Sequence, residues 1–167
     1  MAYLRVFNES DKYRDSRALS DVLRYCTQVK KTNPDLCGGW AVNPENAAEE
    51  METFSQLANK ADGVRLRHFE ISFPPEEVKD SELVAKIARE CAEYYAADHQ
   101  IVYAVHEDKT HRHAHFVMNS VRYSDGNKYR GTKKDLYDFE EHCKAVFHKN
   151  GLAENLCLVK DTRNRSQ

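Results

Sequence analysis

The chain has 167 residues, of which 41% are hydrophobic and 31% are charged, with a formal net charge of −2. This length suits a single domain with a buried core, and the lack of a long apolar run argues against a membrane-spanning helix or a signal peptide. The five cysteines are widely scattered, which argues against a disulfide framework or a Cys-x-x-Cys zinc site. We therefore expect a soluble intracellular protein.

Positive charge is concentrated at the two ends of the chain. Lys and Arg number 7 against 5 Asp and Glu in residues 1–35, 8 against 15 in residues 36–121, and 10 against 7 in residues 122–167. The average charge argues against a protein that coats nucleic acid, whereas basic ends folded side by side would still offer a positive face to an anionic polymer. A solvated surface of mixed charge explains the same counts.

The first half of the chain predicts one strand and two helices. Residues 2–7 are rich in β-forming residues and predict the strand. Apolar residues recur at helical spacing over residues 16–28, where Ser16 is a candidate cap, and a second helix is predicted over residues 43–59. The Gly- and Pro-containing segment between the helices predicts a loop with a short extended piece around Trp40.

The second half predicts a strand and a helix, then two strands, a helix and a last strand. In chain order these cover residues 64–73, 76–97, 100–105, 113–123, 133–150 and 156–159. The short polar connection between the middle two strands predicts an antiparallel hairpin. The expected class is α+β, a central antiparallel β-sheet flanked by helices, with one domain over residues 1–160 and a tail or truncated linker over residues 161–167.

Four of the eight histidines lie in "HEDKTHRHAH", residues 106–115. Alternate residues of a strand share a face, so His113 and His115 can bind one ion, and His106 lies across the hairpin as a third ligand. Three ligands leave coordination positions open, as a catalytic metal requires. Asp108 would orient a ligand or contact the ion through water, whereas His111 shares the parity of the pair but lies at the turn.

Two other interpretations of these histidines remain open. They can decorate a polar hairpin without binding an ion, or they can form a structural or adventitious metal site. The spacing predicts metal binding but does not name a reaction.

The segment "VYAVHEDKTHRHAHFVMNSVRYSDGNKY" resembles the metal-binding motif of conjugative relaxases. These are mobilisation nucleases of plasmids and integrative elements, within the His-hydrophobe-His superfamily of single-stranded DNA nucleases. The Gram-positive relaxase pattern is His-x-Asp-x-x-His-x-His-x-His, then apolar residues and Asn, and it is met by His106, Asp108, His111, His113, His115 and Asn119. Ala114 departs from the bulky apolar residue that the superfamily name implies.

Two further segments extend the resemblance over residues 16–152. "SDVLRYCTQVKKT" is similar to the first relaxase motif, in which a helix carries a nucleophilic tyrosine before a Lys-Thr pair; Tyr25, Lys31 and Thr32 match. "RLRHFEISFPPEEV" resembles the middle motif, in which His68 matches a histidine on a central strand. The resemblance implies the palm-like relaxase fold. The long C-terminal part usual in such families does not follow, so we expect a minimal relaxase or an excised domain.

The resemblance implies site- and strand-specific DNA nicking at a transfer origin. One divalent ion, Mn²⁺ or Mg²⁺, on the three histidines named above would polarise the scissile phosphate, and Tyr25 would attack to form a 5′-phosphotyrosine. The ordinary pKa of tyrosine is about 10, so ionisation needs the cation or a base, for which His68 and His111 are candidates. A packing role is the alternative for both Tyr25 and His68, and Tyr3, Tyr13 and Tyr123 are reserve nucleophiles.

The expected partner is single-stranded DNA, which binds through basic contacts to phosphate and stacking on aromatic rings. The candidates are Lys30, Lys31, Arg67, Arg112, Arg122, Lys128, Tyr129, Arg130, Lys133 and Lys134. "NKYRGTKK" can be a DNA-facing loop or simply solvated, and Trp40 can stack on a base or fill the core. An accessory DNA-binding protein, a coupling protein, a monomeric state, no membrane partner and a bacterial cytoplasmic location complete the expectation.

Other functional classes remain open. A rolling-circle replication initiator or a single-strand transposase uses similar chemistry, but its tyrosine generally follows the histidine motif, which would make Tyr137 the nucleophile. A non-catalytic, metal-dependent DNA-binding module would bind single-stranded DNA without a covalent adduct.

Overall fold

The computed structural model of the protein describes residues 1–161. Its elements in chain order are strand β1 (Ala2–Val6), helices α1 (Ser10–Arg14) and α2 (Ala18–Thr27), strand β2 (Cys37–Trp40), helix α3 (Ala47–Leu57), strand β3 (Leu66–Phe73), helix α4 (Ser81–Ala96), strands β4 (Ile101–His106) and β5 (Arg112–Asn119), helix α5 (Lys133–Lys149) and strand β6 (Leu156–Val159). The six strands form one sheet in the order β2-β4-β5-β3-β1-β6.

The sheet confirms the predicted α+β class, with one difference in strand direction. Neighbouring strands are antiparallel, including the predicted β4–β5 hairpin, except that β6 runs parallel to β1. Parallel neighbours need a long crossover connection, and here most of the chain separates the two strands. No short turn joins β1 to β6, so the sequence pattern could not predict their relative direction.

Helices cover both faces of the sheet, and strand alternation gives each face its own core. One face carries Leu66, Val102 and Val117 and packs against α2 and α3; we call it the histidine face, because His106, His113 and His115 point from it. The other, the back face, carries aromatic residues such as Phe69 and Phe116 and packs against α4 and α5. Within residues 1–161, no helix is both long and apolar enough to cross a membrane.

Several element boundaries differ from the sequence prediction. The extended piece around Trp40 is a full edge strand, β2, in which a side chain at Gly38 would collide with the phenol of Tyr103. Helix α2 begins after Ser16, and the carboxylate of Asp15 accepts the Arg17 N–H instead. Of the predicted tail, residues 162–167 lie outside the described residues.

Asn119, the last residue of β5, has a fully buried side chain whose hydrogen bonds join three elements. Its amide nitrogen donates to Gln100 Oε1 at 2.9 Å, and its carbonyl oxygen accepts from Ser55 Oγ at 3.2 Å and from the Val121 backbone N–H at 3.0 Å. An unpaired polar group in such a position costs free energy, so this amide stabilises the end of the strand that carries the histidines.

We expect Asn119→Ala to lower the free energy of unfolding by roughly 2–3 kcal/mol, because it leaves buried partners unpaired. Urea denaturation measures this value. Asn46→Ala is the matched control, since Asn46 is exposed and makes no capping bond, and it should change stability by less than about 0.5 kcal/mol. Equal effects of the two substitutions would contradict the structural role of Asn119.

Candidate active site

The register of two strands, β4 and β5, brings the predicted metal ligands together. His106 on β4 lies directly opposite His113 on β5, and His115 follows two residues later on the same face. The ring centroids of His106 and His115 are 4.1 Å apart, and those of His113 and His115 are 6.4 Å apart. The three imidazoles therefore form one cluster on the histidine face.

Glu70, which the sequence analysis missed, joins this cluster from the neighbouring strand β3. It lies directly opposite His115, and its Oε2 atom is 3.2 Å from His115 Nε2 and 3.4 Å from His113 Nδ1. One ligand atom from each of these three residues lies within 4.8 Å of the others. Alternation from His68 places Glu70 on the same face of β3, but only the strand order shows that β3 lies beside the histidine strand.

The charge of Glu70 is set by its neighbours. Burial opposes ionisation, but the hydrogen bond with His113 and the nearby His115 and Arg5 outweigh it, so the pKa of Glu70 is lowered. Arg5 comes from β1, where it lies directly opposite Glu70. Burial in turn lowers the pKa of His106 and of His115, which keeps both rings neutral at pH 7 and able to bind a cation.

His106 is oriented by the backbone of helix α2. Its Nε2–H donates to the carbonyl oxygen of Cys26 at 2.7 Å, which leaves Nδ1 of the neutral ring with a free electron pair. Metal-binding histidines usually donate their second nitrogen to such a group. The compact ligand group of Glu70, His113 and His115 does not include His106 in this conformation.

Hydrogen bonds connect two carboxylates through His115. Glu9 Oε2 accepts from the Tyr13 hydroxyl at 3.1 Å, the same hydroxyl is 3.1 Å from His68 Nδ1, and His68 Nε2 is 2.9 Å from His115 Nδ1. His115 Nε2 then faces Glu70. The Nδ1 atom of His115 is thereby engaged with His68, and its Nε2 atom is directed towards Glu70.

Tyr25 lies at the end of α2, beside the histidine cluster. Its ring centroid is 5.9 Å from that of His106 and 6.0 Å from that of His115, and its side chain is 46% exposed. Lys31 Nζ lies 5.5 Å from the same ring. A tyrosine that only filled the core would be buried, so this placement suits a side chain that meets a ligand.

The reserve tyrosines have different surroundings. Tyr13 is buried and contacts His68, Tyr123 donates to the carbonyl oxygen of Ala96, and Tyr137 is exposed on α5, a helix of the back face. Tyr3 lies on β1 on the histidine face, in register with Ser72.

An open cleft of about 360 Å³ contains Tyr25 and the histidine cluster. It is also lined by four basic side chains, from Arg5, Lys12, Lys31 and Lys109, of which only Lys31 was a sequence candidate. Asp108 lies in the cleft but forms an ion pair with Lys31 at 3.0 Å, and the group that orients His106 is the carbonyl oxygen of Cys26. His111 lies outside the cleft lining, with its ring 6.5 Å from that of His113.

The other predicted DNA contacts are not brought together with the histidines. Arg67 points to the back face and lies 5.3 Å from the ring of Tyr129, whose hydroxyl donates to Asp135 at 2.6 Å. Among the remaining candidates, Arg112 donates to Ser81 Oγ, Arg122 pairs with Asp125, Lys128 donates to the Val64 carbonyl and Lys134 pairs with Asp138. Lys30 is exposed after the end of α2, and Arg130 and Lys133 are exposed near the start of α5. Trp40 packs against α4, with Arg89 over its ring.

Comparisons with known proteins point to one family. A family model described as "Relaxase: MobA/VirD2-like, nuclease domain" matches residues 25–152. Proteins named "Protein rlx" from Staphylococcus aureus are 40% identical over 78 residues, 47% of this chain and 24% of theirs, and 32% identical over 126 residues, 75% of this chain and 36% of theirs. The chain thus spans at most about a third of the length of these relatives.

A solved structure shares the fold. It is titled "Molecular Basis of Vancomycin Resistance Transfer in Staphylococcus aureus", with a TM-score of 0.51, 17% sequence identity and coverage of 75% of this chain and 74% of that one. The family match covers Tyr25, the β4–β5 hairpin with its histidines, and strands β2 and β3 between them. The chain belongs to the MobA/VirD2-like relaxases, and its matched residues correspond to their nuclease domain.

Proposed function

We propose that this chain nicks one DNA strand at a transfer origin by transesterification, with Tyr25 as the nucleophile. The observation that carries the proposal is the half-exposed Tyr25 ring, about 6 Å from two histidines that cluster with a carboxylate on one face of the sheet. In the reaction the tyrosine oxygen bonds to phosphorus and the bond to the 3′-oxygen breaks. The products are a 5′-phosphotyrosine and a free 3′-hydroxyl.

The donor set fits a divalent cation, Mn²⁺ or Mg²⁺. His106 through Nδ1, His113, and His115 through Nε2 would hold it, with Glu70 beside it. The Nε2 atom of His115 and the Oε2 atom of Glu70, 3.2 Å apart, support this placement, and imidazole donors favour Mn²⁺ over Mg²⁺. When bound, such an ion withdraws electrons from the scissile phosphate and stabilises the charge of the transition state.

The residues around this centre orient its ligands and the nucleophile. Both ring nitrogens of His68 are engaged, with Tyr13 and His115, which favours positioning of His115 over removal of the Tyr25 proton. The ammonium group of Lys31 lies 5.5 Å from the centre of the Tyr25 ring and is itself fixed by Asp108. The proton of Tyr25 leaves through the open cleft. His111, outside the cleft lining, is the weaker candidate for a base.

The basic side chains of the cleft are the proposed contacts to the DNA backbone, because they lie where the scissile phosphate must enter. They are Arg5, Lys12, Lys31 and Lys109. The substrate is single-stranded DNA at the transfer origin. Accessory and coupling proteins, a monomeric state and a cytoplasmic location remain parts of the proposal.

We expect a covalent protein–DNA adduct when the protein is incubated with a single-stranded transfer-origin oligonucleotide and Mn²⁺, seen as a slower band on a denaturing gel. Tyr25→Phe should abolish it, because phenylalanine has no oxygen to attack phosphorus, and EDTA should prevent it. Tyr137→Phe is the matched control, since it removes the hydroxyl of another exposed tyrosine, on a back-face helix.

The pattern of these results separates the functional classes. An adduct that survives Tyr25→Phe and disappears in Tyr137→Phe would support the replication-initiator or transposase alternative and reject Tyr25. Binding to the oligonucleotide without any adduct in the unmodified protein would support a non-catalytic DNA-binding module.

Glu70→Gln should weaken Mn²⁺ binding by about 10- to 100-fold, measured by calorimetry. The amide can donate to His115 Nε2, so the electron pair that faces the ion is occupied and the negative charge is lost. Glu77→Gln is the control, because Glu77 lies beyond the end of β3, pairs with the N-terminal ammonium group and does not line the cleft. Unchanged Mn²⁺ affinity in Glu70→Gln would place the ion elsewhere.

Tyr13→Phe should also lower the affinity for Mn²⁺, by about tenfold, because the link between Glu9 and His68 no longer fixes the proton of His115. Adduct formation should then be recovered by raising the Mn²⁺ concentration, which separates positioning from catalysis. Tyr3→Phe is the control. A loss of activity that excess Mn²⁺ does not reverse would reject the positioning role.

A further inference from the structure

A second compact ligand group lies on the other edge of the His115 ring. His115 Nδ1 is 2.9 Å from His68 Nε2, which is 3.7 Å from Cys26 Sγ. One ligand atom from each of these three residues lies within 4.8 Å of the others, and all three side chains are buried. His115 therefore belongs to two groups, through a different ring nitrogen in each.

The two groups have different chemistry. Nε2 of His115 faces a carboxylate and another imidazole, from Glu70 and His113, a set that suits Mn²⁺. Nδ1 faces an imidazole and a thiol, from His68 and Cys26. Two nitrogens and one sulfur suit Zn²⁺ or Cd²⁺, which form strong bonds to thiolate, and do not suit Mg²⁺.

The single proton of the neutral His115 ring makes the two positions exclusive. A neutral imidazole carries one proton, so His115 can offer either Nε2 or Nδ1 to a cation, but not both. With the proton on Nδ1, Nε2 is available beside Glu70 and His113; with the proton on Nε2, Glu70 accepts it and Nδ1 is available beside His68 and Cys26. The nitrogen that His115 can offer to a cation thus differs between the two ligand groups.

We propose that Cys26, His68 and His115 form a second metal site, for a thiophilic divalent cation such as Zn²⁺, and that its occupation removes His115 from the site for Mn²⁺. On binding, the Cys26 thiol releases its proton to solvent and the His115 proton moves from Nδ1 to Nε2, where Glu70 accepts it. The inhibitory consequence rests on the proposed function, whereas the binding of the cation does not.

The surroundings allow the cation to enter and restrict which one binds. His68 and His115 both line the open cleft, and Cys26 lies behind them on the helix that carries Tyr25. Cys26 supplies a sulfur ligand, which Zn²⁺ and Cd²⁺ bind strongly and Mn²⁺ and Mg²⁺ bind weakly. The site is therefore selective against the cation of the neighbouring group.

Binding is tested on the whole chain without DNA by titration with Cd²⁺, whose bond to thiolate gives a charge-transfer absorption in the ultraviolet. We expect this band to saturate with one ion per chain. Cys26→Ser should weaken Cd²⁺ binding by more than about tenfold. Cys26→Ala, a second replacement that keeps the position apolar, should have the same effect. Cys37→Ser is the matched control, a half-buried cysteine on β2. A full band in either folded Cys26 variant, or its loss in Cys37→Ser, would overturn the site.

Inhibition is tested by adduct formation at a fixed Mn²⁺ concentration with increasing Zn²⁺, and each variant is compared with its own activity without Zn²⁺. We expect the unmodified protein and Cys37→Ser to be inhibited, and the Cys26 variants to need about tenfold more Zn²⁺. Equal inhibition of all variants would reject the exclusion of Mn²⁺ even if Cd²⁺ binds. Absence of any adduct without Zn²⁺ would reject the proposed function and leave the Cd²⁺ result standing.

Discussion

The pairing of β3 with β5 is the constraint on which the candidate site depends. Eight residue pairs join the two strands, from Leu66 opposite Asn119 to Phe73 opposite Arg112, and this register places Glu70 opposite His115. A shift by one residue would turn every side chain of a strand to the other face, and the histidines would then point into the aromatic core under α4 and α5. The buried side chain of Asn119 holds one end of this register.

Helix α2 connects the nucleophile to the metal ligands through adjacent residues. Tyr25 presents its ring to the cleft, while the backbone carbonyl and the thiol of Cys26 approach His106 and His68. The helix is held by an apolar stripe that packs on the histidine face. A displacement of α2 would therefore change the position of the nucleophile and the orientation of two histidines together, which couples the packing of the core to the chemistry of the site.

Hydrogen bonding explains why three tyrosines, including Tyr129 of the segment "NKYRGTKK", pack in or against the back-face core. The hydroxyl groups of Tyr94, Tyr95 and Tyr129 all donate to the carboxylate of Asp135, in the first turn of α5. Buried phenols need such partners, and one carboxylate with four acceptor positions supplies them. Tyr129 is thereby drawn to the back face, away from the cleft, although its basic sequence neighbours suggested a DNA-facing loop.

Local pattern in the sequence determined the strands, the main helices and the shared face of His113 and His115, because these follow from side-chain periodicity within a few residues. The motif resemblance added Tyr25. Only the tertiary structure decided that Glu70 and Arg5 border the histidines, that Tyr13 and His68 connect Glu9 to His115, and that β6 runs parallel to β1. Those contacts join residues far apart in the chain, and strand order and burial, which no local pattern contains, bring them together.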